Sequence, residues 1–315
     1  PDGIRTDYLW KEILTKESLS NILENYSQVV EKIDRKTNKV IGETMIFPRY
    51  HQLTVVRKLL ADTLRNEVGK RYLIQHSAGS GKSNSIAWLA YQLVKLEKSG
   101  KNFFDSIIVV TDRVNLDRQI RDTIRQFMQE RSVVGWADDS STLGSLLNAG
   151  KKIIITTIHK FPFILSSIGT ENKDKQFAII IDEAHSSQTG SLFAKMNMAV
   201  SGNVCDDEED IEDKINKLIE GHRMVRNANY YAFTATPKNK TLEMFGDAIP
   251  QPDGQVRHVA FHTYSMRQAI QERFILDVLE HYTPVSSFYK LVKKSEDDPL
   301  FDNEKAQAKL RAYVE

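Results

Sequence analysis

Ser77-Ala78-Gly79-Ser80-Gly81-Lys82-Ser83 puts two glycines, one cation and three hydroxyls into a single turn. An apolar run ends just before it at Ile74, and an amphipathic stretch begins at Lys82, so the turn joins a strand to a helix. Glycine lacks a Cβ, which lets main-chain N–H groups close around an oxyanion. The positive end of the following helix falls on the same point. That chemistry is phosphate binding, with Gly79, Ser80 and Gly81 forming the loop, Lys82 reaching the β- and γ-phosphates, and Ser83 offering its hydroxyl to Mg²⁺. One position departs from the full G-x-x-x-x-G-K-S spacing, because His76 stands where the leading glycine would fall.

A second group completes the chemistry. Asp182-Glu183-Ala184-His185 ends the apolar run Ala178 to Ile181, and a carboxylate at that end of a parallel strand faces the crevice where such sheets bind ligands. Asp182 is the expected Mg²⁺ partner and Glu183 the expected base that orients an attacking water. With Lys82 these are the expected catalytic residues, and the reaction is hydrolysis of a nucleoside triphosphate. Thr234-Ala235-Thr236-Pro237 follows another apolar run, Tyr230 to Phe233. Upstream of the loop, Phe47 precedes Gln52, whose carboxamide can meet an adenine edge with both of its polar atoms.

These residues need a sheet to hold them. Short apolar runs at 72–74, 107–110, 153–155, 178–181 and 230–233 alternate with helical patterns, clearest at Lys82 to Lys98 and Asn115 to Met128. Strands so continuously apolar, separated by helices, predict a parallel sheet covered on both faces. Ser18 to Ile33 carries apolar residues at helical spacing, and Asp34 to Lys39 reads as a turn before Val40 to Phe47. Gln268 to His281 also reads as a helix, and the tail beyond Lys293 is strongly polar. The expected division is a helical lead-in over 1–46, an α/β lobe over 47–265 and a helical connector over 266–315.

Composition sets the outer limits. The 315 residues carry 43 basic and 42 acidic side chains, a formal net charge of +1, so any contact with nucleic acid must be local. Seven of the eight residues 206–213 are carboxylates, which reads as a solvated face or insertion. The single cysteine, Cys205, excludes an internal disulfide and a cysteine metal cluster. No run of 18 apolar residues exists, so no transmembrane helix is expected, and a cytoplasmic location is.

In this order and at these intervals the elements resemble superfamily 2 helicases and translocases, which implies a RecA-like P-loop lobe that uses ATP and Mg²⁺. The resemblance assigns Gln52 and Phe47 to adenine, and Thr234 and Thr236 to coupling nucleotide state with nucleic-acid movement, His185 standing in the same coupling set. It places Thr111, Arg113, Thr157 and Lys160 where such motors touch the nucleic-acid backbone. A closer resemblance is to the restriction subunit of type I restriction-modification enzymes. It is carried by Asp112-Arg113 with Leu116-Asp117-Arg118-Gln119, Asp182 to His185 with Ser187-Gln188, Ala232 to Lys238, and Phe274 to Val278. It implies duplex DNA, a methyltransferase subunit and a specificity subunit as partners, no membrane, and DNA translocation before cleavage by a separate nuclease domain. Ser186 and Arg273 depart from that family, which carries Arg and Gly there. Neither a second set of motor motifs nor a nuclease cluster is read in the sequence, so slow turnover by this lobe alone is expected. The rival expectations are an RNA helicase lobe of the Asp-Glu-Ala-His type and a nucleotide-gated scaffold that does not hydrolyse.

Overall fold

A computed structural model describes residues 6–34, 40–111, 133–137, 139–170, 172–182, 225–252 and 254–277, together with Ile124. The chain divides into two units, Pro1–Ala269 and Ile270–Glu315.

The first unit opens with helix α1 (Lys16–Asn25), hairpin strands β1 (Gln28–Ile33) and β2 (Val40–Ile46), and helix α2 (Tyr50–Arg65). Strand β3 (Arg71–His76) leads into α3 (Lys82–Val94), a two-residue hairpin β4 (Glu97–Lys98) and β5 (Lys101–Asn102), and then β6 (Ser106–Thr111). There follow β7 (Val134–Ala137), α4 (Ser140–Asn148), β8 (Ile153–Thr157), α5 (Phe161–Thr170) and β9 (Phe177–Ile181). After β10 (Ala228–Thr234) come α6 (Asn239–Phe245), the hairpin β11 (Asp247–Pro250) with β12 (Val256–Val259), and β13 (His262–Tyr264).

Seven strands form one sheet in the order β13-β3-β10-β9-β6-β8-β7. Every neighbouring pair is parallel, so all the strand C-termini lie along one edge. Alternate residues of each strand go to opposite cores, as the two-residue strand period requires. Tyr72, Ile74, Ile107, Val109, Ile180 and Phe233 meet α1, α2 and α3 on one face. Leu73, Ile108, Val110, Ile179, Tyr230 and Ala232 meet α4, α5 and α6 on the other. This is a RecA-like α/β lobe, and the five apolar runs read from the sequence are its strands β3, β6, β8, β9 and β10.

Buried polar groups fix the entry to β3. Asn229 Oδ1 accepts from Gly69 N at 2.7 Å and Lys70 N at 2.9 Å, while its Nδ2 donates to Tyr231 Oη at 3.4 Å. Thr63 and Tyr231 share a buried hydroxyl contact of 2.8 Å, and the Tyr231 ring stacks on Tyr72 at 5.0 Å. Burial pushes both phenols up from their ordinary pKa, so they stay neutral hydrogen-bonding groups.

Three local expectations change. The helix expected over Ser18–Ile33 ends at Asn25, and Val29 and Val30 sit in β1, paired antiparallel with β2. Consecutive β-branched residues favour the strand once a partner is available across the 34–39 turn. The helix expected to reach Lys98 ends at Val94, and Gly100, at φ +74°, turns the small β4–β5 hairpin instead. The helix expected over Gln268–His281 spans Met266–Gln271, and Arg273 follows at φ +58°. The Asn115–Met128 pattern, apart from Ile124, and residues 206–213 lie outside the described residues.

Candidate nucleotide site at the C-terminal edge of the sheet

Three adjacent strands bring the chemistry together. Strand β10 lies between β3 and β9, with Thr234 level with Gln75 and Ala232 level with Ile181. The Ser77–Ser83 loop leaves β3, Thr234-Ala235-Thr236 leaves β10, and Asp182 leaves β9, all at one end. Asp182 is buried, and its N–H donates to Val110 O at 2.8 Å, which ties it to β6 on the far side.

The loop fits a phosphate. Gly79 and Gly81 have φ of +73° and +81°, where a side chain is strained. The hydroxyls of Ser77 and Ser80 are buried and find no hydrogen-bond partner among the described residues. Helices α1 and α4 are capped by their own residues, Thr15 accepting from Ser18 N and Asp139 from Thr142 N. No side chain caps α3, so its first N–H groups face the loop. Lys82 Nζ donates to His76 O at 3.2 Å, folding the cation back over the strand end. Ser83 is half-buried in the first turn of α3, and with Asp182 it offers hard oxygen donors of the kind Mg²⁺ takes. Among the described residues no cluster of three His, Cys, Asp or Glu residues forms a metal site.

The departure at position 76 has a physical explanation. His76 is the last residue of β3 and lies outside the positive-φ region, so it needs no glycine. Its ring is fully buried and shares a hydrogen bond of 2.9 Å with His262 Nδ1. Burial, followed by the neighbouring His262, His51 and Lys82, lowers its pKa to about 2. Burial, Lys58 and His51 lower that of His262 to about 4, so both rings are neutral at physiological pH.

Gln52 makes its hydrogen bonds within the protein. Its Oε1 accepts from Arg49 N at 2.9 Å, and its Nε2 donates to Ser80 O at 3.3 Å and Gly81 O at 3.0 Å. In this arrangement the carboxamide holds the start of α2 to the phosphate loop. A Cβ added at Gly81 would lie 2.5 Å from Gln52 Nε2, a second reason for glycine there. Phe47 is exposed nearby in sequence.

Sequence reasoning missed His51 and Tyr264. His51 Nε2 donates to Ser80 O at 3.0 Å, and its ring stacks on Tyr264 at 3.8 Å with planes 3° apart. Ser77 N in turn donates to Tyr264 O at 3.0 Å, which ties β13 to the loop. The signal in the sequence was slight: His51 adjoins Gln52, and β13 is three residues long.

The expected backbone-contact residues divide. Thr157 Oγ1 accepts from Lys160 Nζ at 3.1 Å, so these two are neighbours after β8. Thr111 is fully buried at the end of β6, its hydroxyl 3.5 Å from Thr156 O, and it presents nothing to the surface here. Thr234 is buried and Thr236 exposed. Arg113, Glu183, His185 and Ser186 lie outside the described residues.

A family model described as SWI2/SNF2 ATPase matches residues 51–309. No curated protein sequence matches the chain. Among solved structures, the UvsW helicase of bacteriophage T4 is 14% identical with a TM-score of 0.37, covering 72% of this chain and 62% of its own. A fragment of a putative HsdR subunit of a type I restriction enzyme from Vibrio vulnificus YJ016 is 17% identical with a TM-score of 0.41. The match covers 83% of this chain and 35% of that one. The SWI2/SNF2 ATPase core of Sulfolobus solfataricus in complex with dsDNA is 15% identical with a TM-score of 0.36, covering 60% and 32%. The chain thus spans less than two thirds of each of these proteins. No helix among the described residues is long and apolar enough to cross a membrane.

Proposed function

The chain belongs to the SWI2/SNF2 ATPase family, and from that premise we propose that it is the ATP-binding motor lobe of a type I restriction subunit that moves duplex DNA. The observation that carries the reading is the convergence of the phosphate loop, Thr234–Thr236 and Asp182 at the ends of three adjacent parallel strands. The restriction assignment is supported by the sequence resemblance around Asp112-Arg113, Asp182 to Gln188 and Ala232 to Lys238.

The loop N–H groups and Lys82 take the charge that develops on the transferred phosphoryl group. Ser83 and Asp182 would hold Mg²⁺, which would supply neutralisation of the phosphate charge. Glu183 positions the water, while Gln52 and His51 keep the loop carbonyls fixed so that its N–H groups stay directed at the phosphate. Thr157 and Lys160 touch the DNA backbone, and Thr236 couples that contact to the nucleotide. Residues 1–46, 47–265 and 266–315 serve as lead-in, motor lobe and connector.

The test is ATP turnover by the parent polypeptide with its methyltransferase and specificity subunits, measured with duplex DNA and with RNA. Turnover that rises only with DNA carrying an unmodified recognition site is the expected result. Stimulation by RNA, or by neither, overturns the restriction reading. In the same assay Lys82→Ala should abolish nucleotide binding while leaving the circular dichroism unchanged; unaltered affinity would remove the phosphate-loop assignment.

A further inference from the structure

The opposite edge of the sheet carries a site of its own. The loops entering β3, β10, β9 and β6, four adjacent strands, wall an open cleft of about 700 Å³. Five cations line it: Lys98 and Lys101 ahead of β6, Lys173 and Lys175 ahead of β9, and Arg226 ahead of β10. Glu67, Asp105 and Asp174 share the wall, yet none of the five cations forms an ion pair with a carboxylate of the described residues. Asp105 spends Oδ2 on Gln176 N at 2.7 Å. Lys98 and Lys175 reach main-chain carbonyls, Asn66 O at 3.4 Å and Leu147 O at 3.2 Å. Like charges gathered around a cleft repel one another, and an anionic occupant relieves that repulsion.

We propose that this cleft is a second, sequence-independent docking site for the phosphate backbone of duplex nucleic acid. A chain of net charge +1 cannot bind a polyanion through its overall field, so contact needs a local concentration of cations, and this edge has one. The cations stand ahead of three adjacent strands, β10, β9 and β6, a span of about 10 Å at ordinary strand spacing. That suits successive phosphates better than one enclosed ion. Four of the five are lysines, mobile point charges that follow a backbone without demanding one geometry. Among the described residues the aromatic of the wall, Phe103, is buried with Lys98 Nζ 5.5 Å over its ring, which favours a duplex backbone over unpaired bases seeking a stacking platform. The strands separate this edge from the phosphate loop by about 20 Å, so a duplex held here is anchored away from the nucleotide. The proposal does not depend on the nucleotide chemistry, and a chain without ATP turnover would still display it.

The test uses the full 315-residue chain and a short fluorescent DNA duplex, with affinity measured by anisotropy over a salt series. The triple variant Lys101→Glu, Lys173→Glu, Arg226→Glu should lose about tenfold or more in affinity at low salt, and the slope of log K against log salt should fall by about two. ATP affinity should be unchanged. The neutralising set Lys101→Gln, Lys173→Gln, Arg226→Gln, milder to the fold, should give a smaller loss in the same direction. A wild-type chain that does not bind duplex, or a triple variant with unaltered affinity and slope, overturns the site. Poly-glutamate captured by the wild type and lost by the variant, with duplex binding untouched, assigns the cleft to an acidic protein and also overturns it.

Discussion

At the scale of single residues, the histidines behind the phosphate loop make acid stability informative. His76 and His262 are held neutral in the folded chain, with pKa values lowered to about 2 and about 4. In the unfolded chain they titrate near 6.5. Below that pH the unfolded state binds protons that the folded state refuses, so stability is full above about 6.5 and lost as pH falls toward the folded values. The denaturant midpoint should therefore drop between pH 6.5 and 5, a window in which carboxylates contribute little. His262→Gln should flatten that slope. A wild-type midpoint constant across the window would show that the pair is not buried as described. Gln52 illustrates a different point at this scale, because its residue type was read correctly as a two-sided hydrogen-bonding group. What it bonds in the structure is the protein's own loop.

At the scale of elements, legibility followed burial. The five central strands announce themselves because both of their faces are covered, which forces near-continuous apolar runs. The outer strands β7 and β13 are four and three residues long, too short for a period, and were missed. The Ser18–Ile33 stretch shows how a helical spacing of apolar residues yields to strand pairing when β-branched residues meet a partner. The loop, Asp182 and Thr234–Thr236 stand at strand ends as expected from spacing, because each lies at the end of a buried strand. His51 and Tyr264 were not recovered, since their contact joins residues more than 200 positions apart. Arg273 carries an element-scale prediction of its own. It is exposed at φ +58°, where a Cβ costs about 1 kcal/mol, and its N–H closes the turn on Ile270 O at 2.9 Å. Arg273→Gly should strengthen protection of that turn in amide exchange several-fold. Protection that falls or stays level would show that the arginine side chain holds the turn.

At the scale of the whole molecule, a parallel sheet has two unlike edges, and in this chain they carry different residues. Parallel pairing sets every strand exit on one side and every strand entry on the other. The exits carry the phosphate loop and Asp182, and the entries carry the row of lysines. A near-neutral total is thereby compatible with a local excess of cations at one edge, five against three carboxylates, which composition alone does not reveal.

The helix that begins at Lys82 also gives the chain a built-in optical probe. Trp88 lies in its second turn, fully buried, with Nε1 donating to Tyr26 O at 2.9 Å, whereas Trp10 is 65% exposed. Indole emission shifts to the blue in apolar surroundings, and a soluble quencher reaches only exposed rings. The third tryptophan, Trp136, is half-buried in β7, so in a Trp136→Phe background iodide should silence Trp10 and leave a blue component from Trp88. A change in that component on adding ATP would report, in light rather than in turnover, that the phosphate-loop helix has moved against its core.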